Sequence, residues 1–193
     1  MLLLYALVGV VAVHFSAARA ESPVPQDSAA RRASDFLPAA PARHWMMIVL
    51  HHSATIGGSV DSIDAMHRRQ KDAGGNPWLG IGYHFVVGNG RSMGDGEIRP
   101  TFRWQKQLPG AHAGKREENE QGIGICLIGN FDVSPPTDKQ IAATRSLVKT
   151  LAARYDIPRS RVLRHQDVGA TLCPGRLFPW VQVQAEVPDS KGS

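Results

Sequence analysis

The run GIGICLIGNF, Gly122 to Phe131, constrains the fold more than any other stretch of this chain. It is almost continuously apolar and is closed by Gly129 and Asn130. Strands of that kind are buried on both faces, and they occur in sheets covered by helices on either side. WMMIVLHHS, Trp45 to Ser53, reads as a second buried strand, one that ends in polar residues.

Helical patterns lie between and beyond these strands. In Pro136 to Pro158, Thr137 and Gln140 form a capping box. Ile141, Thr144, Leu147, Val148, Leu151 and Tyr155 then line one face, and Pro158 stops the helix. SVDSIDAMHRRQKD, from Ser59, carries Ile63, Met66 and the Arg69-Gln70 region at helical spacing, capped by Ser59 or Asp61 and ended by Gly74-Gly75. GIGYHFVVGNGR, from Gly80, is a strand entering a tight turn at Gly88-Asn89-Gly90. SRVLRH is a short strand that delivers His165, and a last short helix follows Pro179. Strands interleaved with helices predict an α/β fold, a single domain with a central mixed β-sheet packed by helices.

The 193 residues, 42% of them hydrophobic, suffice for one real core. Leu2 to Val13 is apolar but shorter than the roughly 20 residues of a membrane span. Ala18 and Ala20 follow it with small-x-small spacing, so residues 1–20 read as a cleaved signal peptide, with an uncleaved anchor as the alternative, and the protein as exported, to the periplasm or the exterior. Residues 21–43, rich in Ala, Pro, Ser and Arg, read as a flexible leader. The domain is expected over 44–185, with 186–193 a disordered tail. The net charge of +5 favours an anionic partner such as nucleic acid, a membrane surface or a charged cell-wall polymer. There is no long basic run and no nucleic-acid motif, so nucleic acid is not the expected partner.

Three features fall at the ends of expected elements, where side chains converge: His51-His52, Tyr83-His84, and His165 with Cys173. Zinc accepts imidazole and thiolate donors, and three protein ligands leave a fourth position for a water whose pKa falls to about 7. Alternation along a strand sends His51 and His52 to opposite faces, so only one points at a metal. The pattern does not say which. Two other readings compete. Cys126 and Cys173, the only cysteines, could pair as a disulfide in an oxidising compartment. Cys173 and His165 could form a thiol hydrolase site with Asp167 as orienter. Cys126 alone, inside an apolar strand, reads as a small buried hydrophobe whose loss leaves activity largely intact. His44 and His67 read as surface residues. Trp78, Phe102 and Trp104 read either as platforms for sugar rings or as core.

IVLHHSAT, GIGYHFVVGNG, PGAHAG, GIGICLIGNF and RHQDVGATLCPG, in this order, resemble the landmark blocks of the zinc amidases that include phage T7 lysozyme and the peptidoglycan recognition proteins. The resemblance spans Met46 to Trp180. It implies hydrolysis of the amide between N-acetylmuramic acid and L-alanine of peptidoglycan, by a monomer, with Zn2+ held by His51, His165 and Cys173. It further implies that Tyr83 and Thr171 act at the reacting carbonyl, and that His112 and Asn119 line the substrate groove. The phage enzyme has lysine at the Thr171 position, whereas the catalytic recognition proteins have threonine. A recognition protein that binds peptidoglycan without cutting it is the alternative. Non-hydrolytic members tend to lose the cysteine ligand, which this chain keeps. No carboxylate presents itself as general base, unless Glu118 reaches in.

Overall fold

A computed structural model describes residues 37–189 except 39 and 73. The expected signal peptide, the leader up to residue 36, and residues 190–193 lie outside the described residues. At the centre, β1 (Met47–His52) and β4 (Gly122–Leu127) run parallel, with His51 opposite Cys126 and His52 opposite Leu127. All six residues of β4 are buried. β2 (Phe85–Val87) lies parallel to β4, and β3 (Ile98–Pro100) runs antiparallel to β2 at the edge. β5 (Val162–Arg164) pairs parallel with β1 on the other side. The result is a five-stranded mixed sheet of order β3-β2-β4-β1-β5, the α/β architecture expected. β3 carries too weak a pattern to be expected; at three residues and ending in proline, it is tolerated because it sits at an edge.

Of the helices, α1 (Val60–His67) starts at the Ser59 cap. Two short ones escape the periodicity: α2 (Phe102–Gln105), capped by Thr101, and α3 (Arg116–Gln121). α4 (Asp138–Tyr155) carries the expected capping box of Thr137 and Gln140, and its Ile141, Thr144, Leu147, Val148 and Leu151 are buried. They pack on Ile48, Leu50, Ile123, Ile125 and Leu127 of the sheet, forming the main core. Burying each such aliphatic side chain contributes about 1.5–3 kcal/mol. Gln140 fastens the helix further, donating from Nε2 to the carbonyls of Val87 and Ile128. α6 (Trp180–Gln184) closes the same side.

Some boundaries differ from expectation. α1 ends at His67 instead of running to Gly74-Gly75, because Arg68 takes the C-cap position and returns its N–H to Asp64. Val187, placed in the tail by the sequence, is buried in the main core, so the domain continues past 185. It also begins earlier than 44: Ala40 N–H donates to the Gln105 carbonyl and Arg43 N–H to Gln107 Oε1. Among the described residues, no helix is long and apolar enough to cross a membrane.

Candidate metal centre

The opposite face of the sheet is built differently. There the β1–β4 pair presents Met47, Val49 and His51 beside Gly122, Gly124 and Cys126. The two glycines leave a hollow, which the imidazole of His112 fills. A Cβ on Gly124 would stand 2.5 Å from that ring.

Both ring nitrogens of His112 are engaged. Nε2 lies 3.2 Å from the Gly122 carbonyl, which can only accept, so Nε2 carries the proton. Burial keeps the ring neutral, lowering its pKa to about 4 against the opposing effect of that hydrogen bond. Nδ1 is therefore bare and accepts from His51 Nε2 at 3.0 Å. His51 is itself held neutral, first by burial and then by the imidazoles of His112, His165 and His52. Its single proton sits on Nε2, which leaves Nδ1 bare and 3.8 Å from Cys173 Sγ. A chain of hydrogen bonds from a main-chain carbonyl thus fixes the tautomer of His51 in the form that can bind a metal.

His165 opens the single-turn helix α5 (His165–Val168) directly after β5. Burial lowers the pKa of His165, and the backbone of Ala113 partly offsets that lowering. The chain then folds back, with Gln166 N–H donating to the Cys173 carbonyl at 2.8 Å. Gly175, at φ +102, completes the return close against Phe131 and Asp132. Cys173 Sγ accepts the His52 N–H at 3.3 Å. Burial is the main cause that pushes the Cys173 thiol up to about 11, the wrong direction for a nucleophilic thiol. The ligand atoms of His51, His165 and Cys173 all lie within 4.8 Å of one another. His51 and Cys173 each have a hydrogen-bond partner behind them. That donor set, two imidazoles and a sulfur, fits zinc.

The Tyr83 ring lies 5.1 Å from that of His51. Burial, then the charges of Cys126 and Cys173, raise its pKa well above the ordinary value. Thr171 is half-buried two residues before the cysteine, and its Oγ1 accepts the Cys173 N–H at 3.2 Å. Asn119 spends its carboxamide oxygen on the main-chain N–H groups of His112 and Ala113, at 2.8 and 3.0 Å. It clamps the loop that carries His112. The structure accordingly sets both residues expected at the groove into the support beneath His51. Asp167 bonds the main chain and guanidinium of Arg164, not His165, so the orienter a thiol hydrolase needs is committed elsewhere. Cys126 and Cys173 are both free, not paired.

His44 is exposed as expected, but His67 is buried, because its Nδ1 accepts the Gly82 N–H and its ring meets Trp78 and Tyr83. His52 faces away from the cluster, and its Nδ1 takes the Phe131 N–H. Trp104 belongs to the main core, Phe102 packs at the edge of a smaller one, and Trp78 stands edge-on to His67. The sequence did not point to the position of His112 under His51. The available signal was the alternation of Gly122 and Gly124, which in a strand marks a close approach.

Fold and donor set together define the class: an α/β domain built around a candidate metal centre. Residues 41–176 match the family model described as N-acetylmuramoyl-L-alanine amidase. Peptidoglycan-recognition protein SC2 of Drosophila melanogaster is 31% identical over 140 residues, covering 69% of this chain and 70% of its own length. Among solved structures, the endolysin N-acetylmuramoyl-L-alanine amidase LysCS from Clostridium intestinale is 30% identical, with a TM-score of 0.62 over 78% of this chain and 90% of that one. A Drosophila PGRP-LB variant in complex with tracheal cytotoxin is 25% identical, with a TM-score of 0.53 over 77% of this chain and 87% of that one. The chain belongs to the N-acetylmuramoyl-L-alanine amidase family, the zinc-amidase family that also holds the peptidoglycan recognition proteins.

Proposed function

We propose that this protein hydrolyses the amide between N-acetylmuramic acid and L-alanine in peptidoglycan or its fragments, with zinc held by His51, His165 and Cys173. The observation that carries the reading is the convergence of three donor atoms within 4.8 Å, one of them the sulfur that non-hydrolytic relatives tend to lose. A zinc ion bound there supplies Lewis-acid and water-activating chemistry.

The chain's own residues do the rest. His112 keeps the His51 proton on Nε2 and so keeps Nδ1 available. Asn119 holds the His112 loop in place. Thr171 accepts from the Cys173 N–H, which leaves its own O–H to be given to the carbonyl oxygen of the scissile amide as negative charge develops there. Tyr83 flanks the cluster from the side of His51 and orients the attacking water. The net positive charge suits an anionic wall polymer. The apolar block before Ala20 supports export, where such a polymer is met.

Incubation with purified peptidoglycan, followed by mass spectrometry of the soluble products, tests this. Free stem peptides beginning with L-alanine are expected, lost with a chelator and restored by zinc. Sedimentation of the protein with the wall, without release at any zinc level, would replace the enzyme with a recognition protein.

A further inference from the structure

The proposed reaction gives work to Tyr83 and His112, yet Tyr83 itself lies outside the strands, because β2 starts only at Phe85. Side chains hold its segment where a ladder would. Asp64 Oδ1 accepts the Ile81 N–H at 2.8 Å, and His67 Nδ1 accepts the Gly82 N–H at 3.0 Å. Thr101 Oγ1, the cap of α2, donates to the Tyr83 carbonyl at 2.7 Å. A side chain of the same short helix, Arg103, reaches the carriers of both working residues. Its Nε donates to the Ile81 carbonyl and its Nη1 to the Pro109 carbonyl, each at 2.5 Å. Ile81 stands two residues before Tyr83, and Pro109 three before His112. The main chain of Arg103 grips the second loop again, its carbonyl accepting the Leu108 N–H at 2.8 Å. Arg103 is buried, and a guanidinium is costly to take out of water. What it supplies there is geometry. The group is planar and its donors are fixed relative to one another, so the two carbonyls it bridges are held at a set separation. A lysine ammonium on a flexible stem fixes no such separation.

We infer that Arg103 is a positioning residue for the reaction: by bridging the Ile81 and Pro109 carbonyls it sets the phenol of Tyr83 against His51 and His112. The inference rests on the amidase reading for its kinetic consequence. Three rings are spaced by this bridge. His51 lies 5.1 Å from Tyr83 and 4.9 Å from His112, and the Tyr83 and His112 rings stack at 6.4 Å. A main-chain bond, Ala111 N–H to the Gly82 carbonyl at 3.0 Å, joins the same two segments. The carriers are not held alike. His112 is also fixed by the Gly122 carbonyl, by His51, and by Asn119 on the main chain of its loop. The Tyr83 ring takes its place from the main chain that Arg103 grips. Loss of the bridge should therefore displace Tyr83 more than His112, and slow the reaction while sparing the metal.

Arg103→Lys keeps the charge and the stem but not the fork. It is expected to lower kcat about 10- to 100-fold, the usual result of a misplaced group beside the reacting atoms, and no further than Tyr83→Phe does, with KM and zinc content unchanged. In a Tyr83→Phe background Arg103→Lys should lower kcat no further, whereas a merely structural loss would act equally in both backgrounds. A second readout needs no turnover. In crystals of metal-free Arg103→Lys protein, the Tyr83 ring should leave its 5.1 Å approach to His51, while His51 and His112 stay 4.9 Å apart. Full kcat in Arg103→Lys, an equal loss in both backgrounds, zinc lost along with kcat, or an unmoved Tyr83 would overturn the inference. Should Arg103→Lys not fold, NMR of the unaltered protein decides: the Arg103 Nε–H should be protected from exchange with solvent, and rapid exchange would remove the bridge. If the parent protein releases no stem peptide, the amidase reading fails instead, and the crystals still test the positioning.

Discussion

The two faces of the β1–β4 pair make opposite use of the same backbone. On one, Ile48, Leu50, Ile123, Ile125 and Leu127 meet α4 in a continuous apolar core. On the other, apolar contacts break into two small clusters, one around Cys126 and one around Val49. Between them run His51 and His112. The first face supplies most of the burial that stabilises the domain. The second gives up burial to hold neutral imidazoles in fixed tautomers. The comparison teaches that stability and chemistry are separated across about one strand's thickness, and it predicts that substitutions sort by face.

The sharpest separation is expected from Cys173→Ala. It removes the only sulfur from the donor cluster while leaving the main core untouched. Stoichiometric zinc binding, read by metal analysis after dialysis, and stem-peptide release should both be abolished. The urea midpoint of the metal-free protein should stay near that of the metal-free parent. A collapse of that midpoint would mean the two faces are one cooperative unit.

Leu127→Ala cuts into the other face. Leu127 is fully buried against the α4 cluster. A loss of about 2–5 kcal/mol in urea unfolding is expected, with zinc affinity unchanged at temperatures where the variant stays folded. A variant that unfolds mildly but loses zinc would put the dry face in charge of the site.

Gly124→Ala tests the face of the site at its tightest point. The new methyl would stand 2.5 Å from the His112 ring, which must move and release His51 Nε2. Zinc affinity should fall about 10- to 100-fold, the usual cost of disturbing a ligand's hydrogen-bond partner. Competition with a chromophoric chelator measures it.

That glycine also marks where the sequence stops being legible. The strands, α4 and its cap could be read because hydrophobic burial writes a periodic pattern into each segment separately. His51, His165 and Cys173 were legible because they lie in motif blocks whose order resembles a known family. The contact of His51 with His112 joins residues 61 apart and leaves no local pattern. The same holds for Asn119 under the His112 loop and for His67 against Gly82. A histidine's tautomer depends on what the fold brings to its second nitrogen, and no periodicity encodes that.

Acid should expose the cost of the polar interior. Burial lowers the pKa of His84 to about 3 and of His112 to about 4, and lowers that of His51 as well. In the unfolded chain these groups titrate near the ordinary histidine value of about 6.5. The unfolded state therefore binds protons first as pH falls. Their contribution to stability is complete above that value, drains below it, and stops falling only when the folded-state groups protonate. Each group should remove about 1.4 kcal/mol per pH unit within its window. Urea unfolding of the metal-free protein between pH 6.5 and 4.5 reads the slope. A flat profile would mean these imidazoles are not held neutral.

The smallest effect belongs to the end of α4. Thr137 Oγ1 accepts the Gln140 N–H at 3.0 Å, while Gln140 Oε1 takes the Thr137 N–H at 3.2 Å. Thr137→Ala leaves one of the helix's first N–H groups without its partner and should cost about 1 kcal/mol. Gln140 is the link between this cap and the sheet, because its Nε2 reaches the carbonyls at the ends of β2 and β4. If the two faces are independent, this loss appears in urea unfolding alone, and zinc affinity and kcat match the parent. If kcat falls with it, the helix cap is transmitting strain through Gln140 and Ile128, the residue after β4, into the Cys126 cluster. In that case the boundary between a stabilising face and a chemical face would have to be redrawn through β4 itself.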